Sequence, residues 1–336
     1  MTAQVKFPLP VDTEPMEAKL TDAIPSEDGV WQYEPKWDGF RCLSFKAGDA
    51  VDVRAKSGKP LGRYFPELVD RLRNLAAKQF VIDGEIVIEL AGQYSFDALQ
   101  MRLHPAESRI RKLAAETPAK LVLFDMLADT NGNVLTSQPL SARRAALEAF
   151  VKSLNANDIE LSPSTFDNQE AERWLESGAT GGKTDGVIAK RRDDPYLFGE
   201  RAMMKIKRMR SADCVVGGFR YLAEKDEVGS LLLGLYDDDG KLDHVGFTST
   251  ISNEERPALT QRLEGLRGPP GFTGKAPGGP SRWSTERSGA WEPVRPELVV
   301  EVRYDHVTGD RFRHGTKLLR WRPDKSPRQC TFEQIK

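Results

Sequence analysis

Mixed strands and helices up to about residue 208, followed by strands alone, predict an α+β domain and then an all-β one. Three observations lead there. Strand-like and helical runs alternate in the first part without a regular βαβ rhythm, which argues against a doubly wound sheet. The basic stretch Lys205-Ile206-Lys207-Arg208-Met209-Arg210 marks a change of character. Beyond it, Gly and Asp turns separate strand-like runs, the pattern of a small antiparallel barrel. A chain of 336 residues accommodates two domains, placed at residues 1–208 and 209–336.

Taken in order, the strands expected in the first domain are Val30–Glu34, Phe40–Phe45, Val51–Arg54, Phe80–Glu89, Leu121–Leu127 and Gly186–Lys190, each rich in β-branched or aromatic residues. Ala47-Gly48-Asp49 reads as a hairpin turn between the second and third. Phe65, Leu68, Val69, Leu72 and Leu75 recur at helical spacing and predict an amphipathic helix. A second helix is expected to start with Ser141 as its N-cap and to bury Leu147 and Phe150. In the second domain the strands expected are Cys214–Tyr221, Leu231–Tyr236, His244–Thr248 and Leu298–Arg303. Arg267 to Pro280 is so rich in Gly and Pro that a long exposed loop is expected.

Composition narrows the function classes. No apolar run of about 18 residues is present, so no membrane span is expected. The N-terminus lacks the basic-then-apolar pattern of a secretory signal. Cys42, Cys214 and Cys330 are scattered and form no CxxC pair, which suits a reducing cytoplasm. Net charge is -1, but residues 282–336 hold twelve Lys/Arg against eight Asp/Glu, and residues 190–210 hold eight against three. Local excess of this kind is what contact with a phosphate backbone requires.

The chemistry centres on Glu34-Pro35-Lys36-Trp37-Asp38-Gly39-Phe40-Arg41. Lys36 follows an apolar strand and precedes a turn signal, so its backbone is held. An amine with a pKa of about 10.4 is a poor nucleophile until neighbouring cations expose its free base. Attack on an α-phosphate would give a lysine–nucleoside monophosphate and release pyrophosphate. Alone, a lysine beside Asp-Gly is more often a solvated surface residue. Asp83 and Glu85 lie two apart on a strand and face one side, and Asp185 opens another apolar strand. Such acids suit a Mg²⁺ bridging phosphate oxygens, or else ordinary turns beside Gly. Lys205 and Lys207 alternate and would put two ammoniums on one side. Phe124 is by default a core aromatic. Arg320-Trp321-Arg322-Pro323-Asp324-Lys325 is a charged tail or a phosphate clamp.

Together and in this order, these segments resemble the covalent nucleotidyltransferase superfamily, and specifically the ATP-dependent DNA ligases. The family's K-x-D-G-x-R is matched by Lys36, Asp38, Gly39 and Arg41, and its D-G-E by Asp83, Gly84 and Glu85. The fourth motif falls on Asp185-Gly186-Val187, the fifth on Lys205 and Lys207, and R-x-D-K on Arg322, Asp324 and Lys325. Ser57-Gly58-Lys59-Pro60-Leu61, Arg63-Tyr64-Phe65-Pro66-Glu67, Arg102-Leu103-His104-Pro105-Ala106 and Phe312-Arg313-His314-Gly315-Thr316 look like the bacterial ligase C and ligase D branch, with ligase C the nearer match.

The resemblance implies an adenylation domain followed by an OB-fold. It also implies ATP and Mg²⁺ (or Mn²⁺) as cofactors and nicked duplex DNA as substrate. Lys36 would be the nucleophile, with Asp38, Lys205 and Lys207 in the catalytic set. Glu34, Arg41 and Phe124 would hold adenosine, with Glu34 reading the amino group and Phe124 stacking on the base. Glu85 and Asp185 would serve the metal, and Arg322 and Lys325 the leaving pyrophosphate. Arg41 and Lys56 would touch DNA. Two positions depart from the family's pattern: Asp185 stands where Glu is usual, and Lys56 where Arg is frequent. A monomer lacking the ligase D polymerase and nuclease modules is expected, with a DNA end-binding or gap-filling repair protein supplying targeting. An RNA-end ligase or a capping guanylyltransferase shares the lysine chemistry, but Glu34 and the ligase C-like segments disfavour both. Three scattered cysteines cannot build the four-cysteine zinc module of NAD-dependent ligases. A non-catalytic nucleic-acid-binding protein would not need the nucleophile, the acids and the clamp together.

Overall fold

A computed structural model describes residues 6–154, 156–179, 184–223, 225–278 and 290–335. Two compact units divide the chain, Met1–Arg208 and Met209–Lys336.

Among its described residues the first unit carries ten strands: β1 (Ala18–Thr21), β2 (Trp31–Trp37), β3 (Phe40–Ala47), β4 (Ala50–Ala55), β5 (Gln79–Leu90), β6 (Gln93–Tyr94), β7 (Ala119–Ala128), β8 (Ile159–Leu161), β9 (Thr184–Arg191) and β10 (Met203–Ile206). Five α-helices among the described residues join them: α1 (Pro66–Arg73), α2 (Phe96–Arg102), α3 (Glu107–Glu116), α4 (Leu140–Ser153) and α5 (Asn168–Ala179). One sheet runs β1-β10-β9-β2, and the other β4-β3-β5-β7-β8 with β6 on β5. Pairing is antiparallel except for β1 with β10 and β7 with β8. The predicted α+β character holds.

Local sequence explains most of these elements. β5 lies between β3 and β7 and is buried on both faces, which is why QFVIDGEIVIEL reads as a nearly continuous apolar run. Pro66 opens α1, where a missing N–H costs nothing, and Leu68 and Leu72 bury its inner face. Its last carbonyls are met by a buried lysine: Lys46 Nζ on β3 donates to Leu72 O, Arg73 O and Leu75 O at 2.9, 2.7 and 2.6 Å. The hairpin turn falls between β3 and β4, with Gly48 at φ 59°.

Two sequence expectations need correction. Ser141 does not cap α4; the helix starts at Leu140 after Pro139. Its first N–H groups find loop carbonyls instead, Leu140 on Asp194 and Ser141 on Arg192. The Gly/Pro-rich loop after Arg267 is not simply exposed. Phe272 is buried against Trp291 and over Gly217, and Thr273 N–H donates to Leu242 O. Glycine and proline there shape a path into the core. Residues 279 and 280 lie outside the described residues.

The second unit contains β11 (Arg210–Leu222), β12 (Lys225–Tyr236), β13 (Leu242–Thr248), β14 (Glu292–Pro293), β15 (Val299–Tyr304), β16 (Val307–Thr308), β17 (Arg311–Phe312) and β18 (Lys317–Trp321), with α6 (Arg256–Glu264). The sheet order is β13-β12-β11-β15-β18, with β14 on β11. Its two edge strands meet through one bridge beside β18, Thr248 with Thr316, where Thr316 N–H donates to Phe247 O at 2.9 Å. This strand-rich unit agrees with the OB-fold expectation, although the ladder is open apart from that bridge. No described helix is long and apolar enough to cross a membrane.

Candidate active site

The site is built from facing strands of the two sheets of the first unit. On β2, side chains at Gln32, Glu34 and Lys36 share one face by alternation. β9 supplies Lys190 opposite Gln32 and Ile188 opposite Glu34, and Lys205 of β10 is paired with Ile188. Regular pairing breaks beside the lysine: Pro35 pairs with Val187 and Trp37 with Thr184, so Lys36 alone opposes both Asp185 and Gly186. This is a β-bulge, and bulges re-aim side chains. Gly186 sits in it at φ 135°, with Ile206 O only 2.1 Å from where a Cβ would lie. The turned carboxylate meets the lysine. Lys36 Nζ donates to Asp185 Oδ2 at 2.7 Å, and Lys207 Nζ approaches the same oxygen at 2.9 Å. Burial pushes the Asp185 carboxyl up, but the two ammoniums outweigh it and hold it below the usual range.

Lys207 lies just past the end of β10. Burial, helped by Lys207, Lys36, Lys56 and Arg201, lowers the basicity of Lys205. That crowd of cations is what an incoming polyphosphate would relieve. Lys56 is half in solvent and pairs with Glu17 at 3.0 Å; Glu17 also has Arg201 at 3.7 Å.

The second sheet brings the acids. Arg41 on β3 stands opposite Glu85 on β5, and Asp83 is two residues back on the same face. Arg41 grips Asp83 with Nε at 3.1 Å and Nη2 at 2.7 Å, and Tyr196 donates its hydroxyl to the same acid at 2.6 Å. Asp83 is wholly buried and fully engaged. Glu85 differs. It accepts the Gly39 N–H at 3.1 Å, and burial pushes its carboxyl up to about 7 against the pull of Lys36 and Arg41, with Asp83 and Asp38 adding to the rise. Gly39 allows this approach, since a Cβ would lie 2.2 Å from Ile86 O and 2.8 Å from Glu85 Cγ.

A second bulge places Phe124. Asp83 pairs with Asp125 and Gly84 with Leu123, leaving Phe124 out of the β5–β7 ladder. Its ring lies 5.5 Å from Arg41 Cζ and 4.9 Å from Lys190 Nζ, and its carbonyl accepts from Lys190 at 3.2 Å. Lys190 also donates to Glu34 Oε2 at 2.8 Å, while Gln32 Nε2 holds Oε1 at 2.8 Å. Glu34 and Lys190 thus form a buried ion pair, 3% and 4% exposed at their side chains.

The model of the ATP dependent DNA ligase domain matches residues 15–207, and that of the ATP dependent DNA ligase C terminal region matches residues 224–325. The chain belongs to the ATP-dependent DNA ligases. It is 44% identical to DNA ligase C1 of Mycolicibacterium smegmatis over 98% of this chain and 95% of that one. It is 30% identical to the multifunctional non-homologous end joining protein LigD of Mycobacterium bovis, over 90% of this chain and 37% of LigD. Its fold is similar to a solved structure of mycobacterial DNA ligase D with ATP and MES, at TM-score 0.53 and 28% identity, covering 96% and 98% of the two chains.

Within this ligase, ten residues singled out in the sequence gather in the first unit: Glu34, Lys36, Asp38, Arg41, Lys56, Glu85, Phe124, Asp185, Lys205 and Lys207. Arg322 and Lys325 lie in the second unit, where both sit on one carboxylate: Arg322 Nη1 meets Asp213 Oδ1 at 2.9 Å and Lys325 Nζ meets Oδ2 at 2.6 Å. Among the described residues no group of three His, Cys, Asp or Glu is placed to hold a metal ion. The donor set nevertheless fits a hard cation at Glu85, whose carboxyl is pushed up to about 7 by desolvation and whose oxygens suit Mg²⁺. Asp185 is already engaged by two lysines. Sequence reasoning missed Lys190, Gln32, Tyr196, Arg201 and Asp213. Lys190 closes the apolar run from Val187, and only cross-strand pairing shows what its ammonium serves.

Proposed function

We propose that this ligase seals nicks in duplex DNA by three transfers, with Lys36 as the group that becomes covalently loaded. Lys36 Nζ attacks the α-phosphorus of ATP, a nitrogen–phosphorus bond forms, and pyrophosphate leaves. The adenylyl group passes to the 5′-phosphate of a nick, and the 3′-hydroxyl then displaces AMP. The observation that carries the reading is the Lys36–Asp185–Lys207 triad on a single oxygen. Asp185 aims the nucleophile, while Lys207 and Lys205 draw the α-phosphate to the amine.

Glu34, held by Lys190 and Gln32, supports recognition of the adenine edge, with Phe124 against the base face and Arg41 near the sugar. A Mg²⁺ or Mn²⁺ ion at Glu85, joined by Asp185, would neutralise phosphate charge there. Asp38 belongs to the same catalytic set through its closeness to Glu85. Arg322 and Lys325 are read as the grip on the leaving pyrophosphate, and Arg41 and Lys56 as DNA contacts. The reading includes a monomer acting in the cytoplasm, in keeping with three buried free cysteines. It also includes help from a DNA end-binding or gap-filling protein, a role prompted by the end-joining name of the LigD relative.

The test is direct. Protein incubated with ATP and Mg²⁺ is digested, and the peptide bearing Lys36 is weighed. An adenylyl mass is expected on it, and none on the Lys36→Ala protein. An adduct that survives this substitution would put the nucleophile elsewhere.

A further inference from the structure

We infer that Asp213 is a positioning residue for the cationic pair Arg322 and Lys325. The inference rests on the reading of that pair as the pyrophosphate grip. The two cations are three residues apart after β18, in a turn closed by the Lys325 N–H on Arg322 O at 3.2 Å, which sets their backbones but does not set where their charged ends meet. Asp213 does so from another strand. Its two oxygens take different partners, Oδ1 the guanidinium at 2.9 Å and Oδ2 the ammonium at 2.6 Å, so one rigid carboxylate sets both.

Asp213 is itself immobilised. It is 8% exposed, lies in β11, and is paired with Glu301 of β15. Gln334 brackets its backbone, accepting the Asp213 N–H at 3.0 Å and donating to its carbonyl at 3.1 Å. Glu301 continues the acidic row, with Arg320 at 2.6 Å and Arg322 at 3.8 Å. Asp324 takes Nε and Nη2 of Arg322 from the other side.

This arrangement favours positioning over blocking. An ammonium carries three donors and a guanidinium five, and Asp213 and Asp324 engage only part of them. Both cationic side chains remain about one-fifth exposed, at 20% and 22%. A phosphate can therefore bind the outward N–H groups while the buried acid keeps its place. Without that acid, two like charges at short range would splay apart in water. Asp213 would act through the cations and touch no substrate.

The experiment compares Asp213→Asn with the parent full-length protein in three assays: lysyl-AMP formation across ATP concentrations, pyrophosphate-driven loss of AMP from the adenylated enzyme, and sealing of a pre-adenylated nick. Adenylylation and its reversal are expected to fall about tenfold or more, largely as a higher KM for ATP and for pyrophosphate. Sealing should stay within about twofold, and Asp213→Glu should recover part of the loss. Adenylylation at the parental rate or faster would overturn the proposal, the faster outcome marking a lock. Equal loss of all three activities with a lowered Tm would overturn it too, as a purely structural role. Arg322→Ala and Lys325→Ala, run alongside, separate the premises: if both adenylate normally the grip reading fails, whereas a defect in them with none in Asp213→Asn removes only the role given to Asp213.

Discussion

Glu34 is buried and Glu85 half-buried, and the two acids are handled in opposite ways. Glu34 has a lysine and an amide on its oxygens, whereas Glu85 receives one backbone N–H and is pushed up to about 7. The sign of the pH dependence follows. A carboxyl whose folded pKa exceeds its ordinary 4.5 binds more protons folded than unfolded between those values, so its contribution to stability falls as pH rises from about 4.5 to 7. The full cost, about 3 kcal/mol from a shift of that size, is present above pH 7. Glu85→Gln is therefore expected to raise Tm in EDTA at pH 8, with the gain shrinking towards pH 5; a gain independent of pH would count against this account. The same substitution should nearly abolish lysyl-AMP formation at every pH. For Glu34, Lys190→Met leaves a buried charge without its partner and should cost about 3–5 kcal/mol. Adding Glu34→Gln should restore a good part of that, read by thermal unfolding of the full chain.

Two irregularities of pairing make the site from otherwise regular elements. Strict alternation would turn Asp185 away from the Lys36 face and leave Phe124 locked into the β5–β7 ladder. The bulge at Asp185-Gly186 and the one at Phe124 undo both. Gly186 is the hinge of the first, because φ 135° and the carbonyl of Ile206 leave no place for a Cβ. Gly186→Ala is expected to destabilise the chain by about 1–3 kcal/mol and to slow adduct formation far more than that loss implies. Adduct formation at the parental rate in a folded Gly186→Ala protein would show that the bulge does not aim the acid. Elements with strong periodicity, such as α1 and β5, were legible in the sequence, and so were the chemical groups at Lys36, Glu85 and Lys205. The start of α4 was misread because loop carbonyls, not Ser141, satisfy its first N–H groups.

At the scale of the molecule, a net charge of -1 hides a clustered distribution. Lys56 and Arg201 share the acid Glu17 near Lys205. Binding to nicked duplex is expected to weaken steeply with salt, since each phosphate contact releases counterions. Lys56→Ala should lower the slope of log K against log[salt] by about one and weaken binding for all sequences alike. An unchanged slope in that variant would remove Lys56 from the phosphate contacts.

What the amino-acid sequence determined by itself was the inventory: a lysine beside Asp-Gly, acids and lysines at strand ends, and a mixed domain followed by strands. Those features are local, set by side-chain chemistry and by periods of two or 3.6 residues. Tertiary structure decided which groups face one another. Asp185 on two lysines, Glu34 on Lys190, and Asp213 beneath Arg322 and Lys325 all join residues distant in the chain, through strand register and bulges. Register is a property of paired strands, and no single strand encodes it alone.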